Sequence, residues 1–316
     1  MLEIAEFLHA LTIAMTTGIT AISVGIGQGI VGFSAVKAIN IQPKAKDDIQ
    51  KISLLGTAII ETSAIIGFAV AVILLLTTNN ANINIYSSIA ELGIGIAISS
   101  TGLVIGLVSA MPAKNACIAA ARQPFFAGKI LKFMLITQSM IETPIIFSFI
   151  IAMLIKNVLT SVTTLEQSIK LLAAGLAIGL GSIGPALGLG QLGKTAFQAV
   201  GVNRKSYSKI FTFMLVNGAI IETPTIFALL ISMLILGTGN LSMLKAISLL
   251  SAALCIGIGT FGPGISSGKI ASSACTQIGI NPDSYSLQSK TSIFAQSITE
   301  TATIYALMVS LLIILI

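Results

Sequence analysis

The sequence has 316 residues, 55% of them hydrophobic and 9% charged, with a formal net charge of +6 and a mean hydropathy of +0.99. Soluble domains carry about 25% charged residues, so too few charges are present to coat a water-facing surface, and the same numbers exclude a disordered or collagen-like chain. What remains is an all-α, polytopic membrane protein.

Apolar segments long enough to cross a hydrocarbon core of about 30 Å are expected at 8–36, 52–76, 86–113, 130–155, 168–196, 210–236, 243–271 and 289–316. Acidic Glu3 and Glu6 stand where a signal peptide would have basic residues, so the N-terminus reads as the start of the first helix. The first span carries a glycine-rich run over 18–32, a polar loop follows at 40–51, and Ile60-Glu61-Thr62 lies in the second span. The same order returns three times. Glycine-rich runs at 93–106, 175–193 and 257–268 precede polar loops at 122–129, 202–209 and 281–290. These lead to Ile141-Glu142-Thr143, Ile221-Glu222-Thr223 and Thr299-Glu300-Thr301. The glutamates are 81, 80 and 78 residues apart, a near-constant period that marks tandem repeats. We divide the chain into hairpins at 1–80, 81–160, 161–239 and 240–316.

Fourteen of the 17 Lys and Arg residues fall in or beside the four polar loops, whereas the return linkers at 77–86, 156–167 and 237–244 are nearly free of them. Cations confined to loops set topology and are no nucleic-acid footprint: the loops are expected in the cytoplasm and both termini outside. Two spans per repeat orient all repeats alike, unlike the inverted halves of many secondary transporters. Cys117, Cys255 and Cys275 have no paired spacing and read as inert buried thiols. His9 is the only histidine, which argues against histidine-based catalysis or metal binding.

Small residues let membrane helices approach closely, and every odd-numbered span has the glycine pattern while no even one does. That predicts a tightly wound ring of the odd-numbered helices. Each key glutamate falls near the middle of an even span. An ionised carboxylate in hydrocarbon costs several kcal/mol, by estimates from roughly 2.5 to above 10. Such a carboxyl must be protonated or hold a cation, and either way it can carry one positive charge. Four of them at one place in four repeats point to carriers, not to four unrelated hydrogen bonds.

A glycine-rich helix, a polar loop such as Arg122-Gln123-Pro124 and a mid-membrane glutamate resemble the c-subunit of the rotary F-type ATP synthases. Gln28 precedes Glu61 by 33 residues, as a glutamine precedes the carboxylate in many such proteins. The usual c-subunit is one hairpin of about 80 residues; this chain looks like four fused copies. The resemblance implies a closed ring of hairpins in membrane lipid, turning against the stator a-subunit with its arginine. It also implies cytoplasmic loops docked on central-stalk proteins and no catalysis by the chain itself. No cofactor is implied beyond bound Na+ or H+, and the bacterial inner membrane is the expected location. Closure on copies of itself requires a multiple of four hairpins, with three chains and 12 hairpins favoured. A secondary transporter or channel using the same glutamates is the rival, and the four equivalent hairpins argue against it.

In sodium-type members of that family the ion sits between two hairpins, held by the glutamate, a glutamine, a hydroxyl after the glutamate and a carbonyl two residues before it. The matching hydroxyls are Thr62, Thr143, Thr223 and Thr301, and the matching carbonyls belong to Ile59, Met140, Ile220 and Ile298. Pro144 and Pro224 support this independently, because a proline deprives the carbonyl four residues back of its helical N–H. Those carbonyls are those of Met140 and Ile220. The Gln28 position is Ser109, Leu189 and Ser267 in the later repeats, and Gln138, Asn217 and Gln296, four or five residues before their glutamates, are expected to replace it. A hard cation wants several oxygens, and this count favours sodium over proton.

Overall fold

The computed structural model describes residues 2–77, 84–239 and 241–316. Its eight long apolar helices are α1 (Leu2–Ile41), α2 (Pro43–Thr77), α3 (Ile85–Arg122), α4 (Pro124–Ser161), α5 (Leu165–Val202), α6 (Arg204–Gly237), α7 (Met243–Ile280) and α8 (Pro282–Leu315). They pair in sequence as hairpins 1 to 4. Most of the linker expected over 77–86, and Asn240 in the last return linker, lie outside the described residues.

Helices dominate because every backbone polar group must find its partner within the segment once water is excluded. They are longer than the apolar spans: α3 runs on to Arg122 and α7 to Ile280, past the expected ends at 113 and 271. Hydropathy marks the edge of the hydrocarbon, whereas strong helix formers such as Ala119, Ala120 and Ala121 carry the backbone past it. The polar loops shrink to one non-helical residue, Gln42, Gln123, Asn203 or Asn281, followed by a single 3-10 turn. Gln42, Gln123 and Asn281 precede a proline, which forces them out of the helical region. Asn203 and Asn281 fix the same turn with their side chains, which accept from the N–H groups of Lys205 and Asp283. At the opposite ends Asn84 and Thr164 form capping boxes with Ser87 and Gln167.

Pro112, Pro185 and Pro263 each cancel one helical bond, and α3, α5 and α7 pause three residues earlier, at Ser109, Ser182 and Thr260. α4 and α6 run unbroken past Pro144 and Pro224. α2 also pauses, at Glu61.

The odd helices lie side by side in the order α1, α3, α5, α7, and the even helices form a second row against them. Backbone meets backbone within the odd row. A Cβ on Gly27 would stand 2.1 Å from the Gly106 carbonyl oxygen, one on Gly175 2.0 Å from that of Gly93, and one on Gly188 2.2 Å from that of Gly264. No side chain fits there. Hydroxyls tie each row to the other: Ser232 donates to the Ala174 carbonyl and Ser310 to that of Ala252. The row has two ends. In the most apolar 18-residue stretch of α5, 72% of residues are buried, against 39% in α1 and 17% in α8. Gly18, Gly25, Gly29 and Gly32 of α1 face open space.

One contact had no counterpart in the sequence pattern. His9 Nδ1 donates to both oxygens of Glu91, at 2.9 and 2.8 Å, and joins α1 to α3. Glu91 is 3% exposed. Cys117 and Cys275 are buried and Cys255 half-buried, all as free thiols.

Candidate functional site

Each glutamate lies on an even helix, and the structure sets Glu142 and Glu222 against the hairpin before them in the chain. At the junction of hairpins 1 and 2, Glu142 is 6% exposed. Its Oε2 accepts from the Thr62 hydroxyl at 2.5 Å. Thr62 Oγ1 is also 2.8 Å from the Ile59 carbonyl oxygen. A hydroxyl, a carbonyl two residues before Glu61, and the carboxylate of the next hairpin thus come together. Gln138, fully buried one turn below Glu142, donates through Nε2 to the carbonyls of Gly56 and Ser109 at 3.0 and 3.1 Å, with the Ser109 hydroxyl 3.2 Å away. Ser109 is also a neighbour of Glu142.

Thr143 of hairpin 2 is the hydroxyl neighbour of Glu222 at the next junction, although its own bond runs to the Ser139 carbonyl at 3.4 Å. The Met140 carbonyl has no helical N–H, because Pro144 occupies the donor position. The residue at the Gln28 position is buried Leu189.

Asn217, expected beside Glu222, belongs to the third junction instead. Its Oδ1 accepts from Gln296 Nε2 at 2.6 Å and from the Ser292 hydroxyl at 2.9 Å, so it links α6 to α8 below Glu300. Both amides are fully buried. Ser267 pairs with Thr299 at 3.0 Å, while Thr223 bonds the Ala219 carbonyl of its own helix. Pro224 leaves the Ile220 carbonyl without a helical donor. Ser292 is absent from the residues expected at the site; its signal was its place one turn before Gln296 on the same helix face.

The fourth set is divided between the two ends of the row. Glu61 is exposed, and its side chain makes no hydrogen bond among the described residues. Gln28 reaches only the Thr57 carbonyl, at 3.4 Å. At the other end, exposed Thr301 donates to the Ile298 carbonyl at 2.7 Å. These are the two halves of the arrangement that Thr62, Ile59 and Glu142 complete within the chain.

Electrically, each junction is a single carboxyl with neutral oxygens around it. It can be neutralised by one proton or one monovalent cation, and nothing in it supplies a nucleophile with a base.

The family model for the ATP synthase C-subunit matches four times, at residues 11–74, 92–155, 172–235 and 250–313. Proteins named as ATP synthase c-subunits are similar to single hairpins. That of Dehalococcoides mccartyi is 53% identical over 68 residues, 22% of this chain and 90% of its own length. That of Chloroflexus aurantiacus is 39% identical over 69 residues, 22% of this chain and 91% of its own length.

Proposed function

This chain belongs to the ATP synthase C-subunit family as four fused hairpins, and we propose that copies of it close into the rotor ring of a rotary ATP synthase, carrying one ion on each of Glu61, Glu142, Glu222 and Glu300. The observation that carries this reading is the divided fourth set. Three junctions lie within the chain, and Glu61 with Gln28 at one end matches Thr301 with the Ile298 carbonyl at the other. Gly18, Gly25 and Gly29, open on α1, match Gly257, Gly264 and Gly268, through which α7 receives α5. A second copy's α7 therefore fits α1 as α5 fits α7.

The glycine row packs more tightly than the glutamate row, so the arc curves toward it and closes with the carboxylates outward. Three chains give 12 hairpins and 12 carriers per turn, or four ions per ATP for three catalytic sites in the soluble partner. Each carboxylate unloads where the arginine of the stator a-subunit displaces its ion. One charge moved through 100 mV is worth about 2.3 kcal/mol, which is the drive for rotation. The chain does no ATP chemistry itself. Its cationic loop ends fit the cytoplasmic side of a bacterial inner membrane, where they meet the central stalk.

Both ions have support. Glu142 protonated on Oε2 can donate to Thr62, which donates to Ile59. The Thr62 oxygen, the Ile59 carbonyl and the carboxylate also form part of the oxygen shell that sodium needs. The four hydroxyls and the carbonyls freed by Pro144 and Pro224 favour sodium. The mass of the intact detergent-solubilised ring tests the assembly: three times the 32.6 kDa chain is expected, and a monomer or a number of hairpins not divisible by four overturns it. Cysteines placed at Gln123 and Lys205 should react only from the cytoplasmic side, and those at Thr160 and Gly239 only from the other.

A further inference from the structure

We propose that the ion sites within one chain are unequal: the Glu222 junction holds sodium more weakly than the Glu142 and Glu300 junctions, because Leu189 and Gly218 stand where the others have hydroxyls and amides. This rests on the reading that the four glutamates carry the ion.

The comparison is positional. Thirty-three residues before the glutamate stand Ser109, Leu189 and Ser267 in hairpins 2, 3 and 4. Four residues before it stand Gln138, Gly218 and Gln296. Hairpin 3 is the one of these in which both positions are apolar. What fills the space is also apolar. A Cβ on Gly218 would meet the Met140 terminal methyl at 2.6 Å and a Leu189 methyl at 3.5 Å.

Unpartnered oxygens make the same distinction. Gln138 Nε2 faces two carbonyl oxygens, which can only accept, so the amide orientation is fixed and Oε1 points away from them. Among the described residues that Oε1 is buried without a hydrogen-bond partner, as is Glu142 Oε1. Gln296 Oε1 and Glu300 Oε1 repeat the pair at the third junction. Buried bare oxygens are costly unless something supplies positive charge or a proton. At the second junction Glu222 Oε1 is bare without an amide oxygen beside it. Thr225, three residues after Glu222 on the same helix, has a buried unpartnered hydroxyl, as Thr303 does at the matching place after Glu300. A hydroxyl is a weaker cation ligand than an amide oxygen and can turn its own proton to the carboxylate instead. A neutral carboxyl needs no more than that, whereas sodium needs several oxygens at once. The junction therefore keeps its ability to carry a proton while losing affinity for sodium.

The test is carbodiimide labelling of the purified intact ring at fixed pH and ionic strength, with NaCl exchanged for KCl and each glutamate read separately by peptide mass spectrometry. Carbodiimide attacks the protonated carboxyl, so bound sodium protects. The NaCl concentration that halves labelling at Glu222 is expected to exceed those at Glu142 and Glu300 by about tenfold or more, the ratio for one lost ligand of about 1.4 kcal/mol. Leu189→Gln should bring the Glu222 value down toward the others. Gln138→Leu should raise the Glu142 value toward that of Glu222, which keeps the test alive if the first variant does not assemble. Half-protection of all three at one NaCl concentration overturns the inequality and leaves sodium binding standing. No protection of any glutamate by NaCl overturns the sodium reading and the inequality with it.

Discussion

The two rows of helices solve opposite problems. α1, α3, α5 and α7 pack by lacking side chains: Gly175 and Gly188 bring carbonyl oxygens to where a Cβ would stand. α2, α4, α6 and α8 pack by having polar ones, with Thr62 on Glu142 and Gln296 on Asn217. In lipid there is no hydrophobic drive between helices, so close van der Waals approach and interhelical hydrogen bonds must supply the association. The odd row uses the first and fixes the spacing of the hairpins. The even row uses the second and builds its sites at that spacing. On the proposed function a site opens and refills on every turn and cannot also be the principal structural tie, and the division into rows separates the two tasks.

Substitution in the odd row should therefore have the largest effect. Gly188→Val forces a branched side chain onto the backbone of Gly264, where a Cβ alone would already lie 2.2 Å from an oxygen. Overpacking with yielding neighbours costs about 1–3 kcal/mol; backbone yields less, and we expect the chain to be lost from the membrane. Gly29→Val adds the same atoms to the open face of α1. Chain level in the membrane should be normal there, while ring assembly, read from native mass, should fail. Equal loss of chain in both variants would break the distinction between internal and copy-to-copy contacts.

In the even row the expectation reverses: assembly survives and function stops. Glu142→Gln keeps a side chain that fills the space and still bonds Thr62, so the ring should form with its native mass. On the proposed function, ion-driven ATP synthesis in vesicles should fall to background, because one uncharged station per chain would halt the ring where it meets the stator. Thr62→Val should be milder, raising the ion concentration for half-maximal synthesis by about tenfold at most.

The rows themselves were legible in the sequence, since the glycine period, the loops and the four glutamates all repeat near 80 residues. The helix extensions were not, because hydropathy reports where lipid ends and says nothing about where a helix ends, as Ala119 to Ala121 show. Asn217 sits by a different glutamate from the one its spacing suggests, and the reason is geometric. Spacing along one helix gives its distance from Glu222, but its side chain leaves that helix for Gln296 and Ser292. His9 and Glu91 stand 82 residues apart in helices that meet only through the odd row, and no local pattern announces such a pair.

That pair is one of several polar ties among the glycine contacts of the odd row, beside Ser23 donating to the Gly102 carbonyl and Thr101 bonded to Ser182, and it gives the third prediction. His9→Ala leaves Glu91, 3% exposed, as a carboxyl without its donor. Breaking a buried pair costs about 3–5 kcal/mol, and the denaturant midpoint of the assembled ring should drop accordingly. His9→Phe combined with Glu91→Leu, which removes both polar groups and keeps volume, should recover most of the loss. No recovery in the double variant would mean that the pair has a role beyond joining α1 to α3.

The smallest effect is expected where the even row ends. The last carbonyls of a helix have no partner within it, and a lysine from the neighbouring odd helix supplies one. Lys245 Nζ donates to the Ile314 carbonyl at 2.6 Å, and Lys170 Nζ donates to the carbonyls of Leu236 and Thr238 at 3.1 and 3.0 Å. A cation there also meets the negative end of the helix dipole, an effect of about 0.3–1 kcal/mol. Lys245→Met keeps the aliphatic stem and removes the donor, so global stability should hardly move. Hydrogen exchange should instead quicken by about fivefold or less in the last turn of α8, over 311–316, with the helix middle around Glu300 unaffected. Lys170→Met removes two bonds and should produce the larger local change, at 234–238 in α6. If exchange quickened along the whole of α8, the lysine would be holding the helix against α7 and not closing its end, and the even row would depend on cationic ties as well as on hydroxyls and amides.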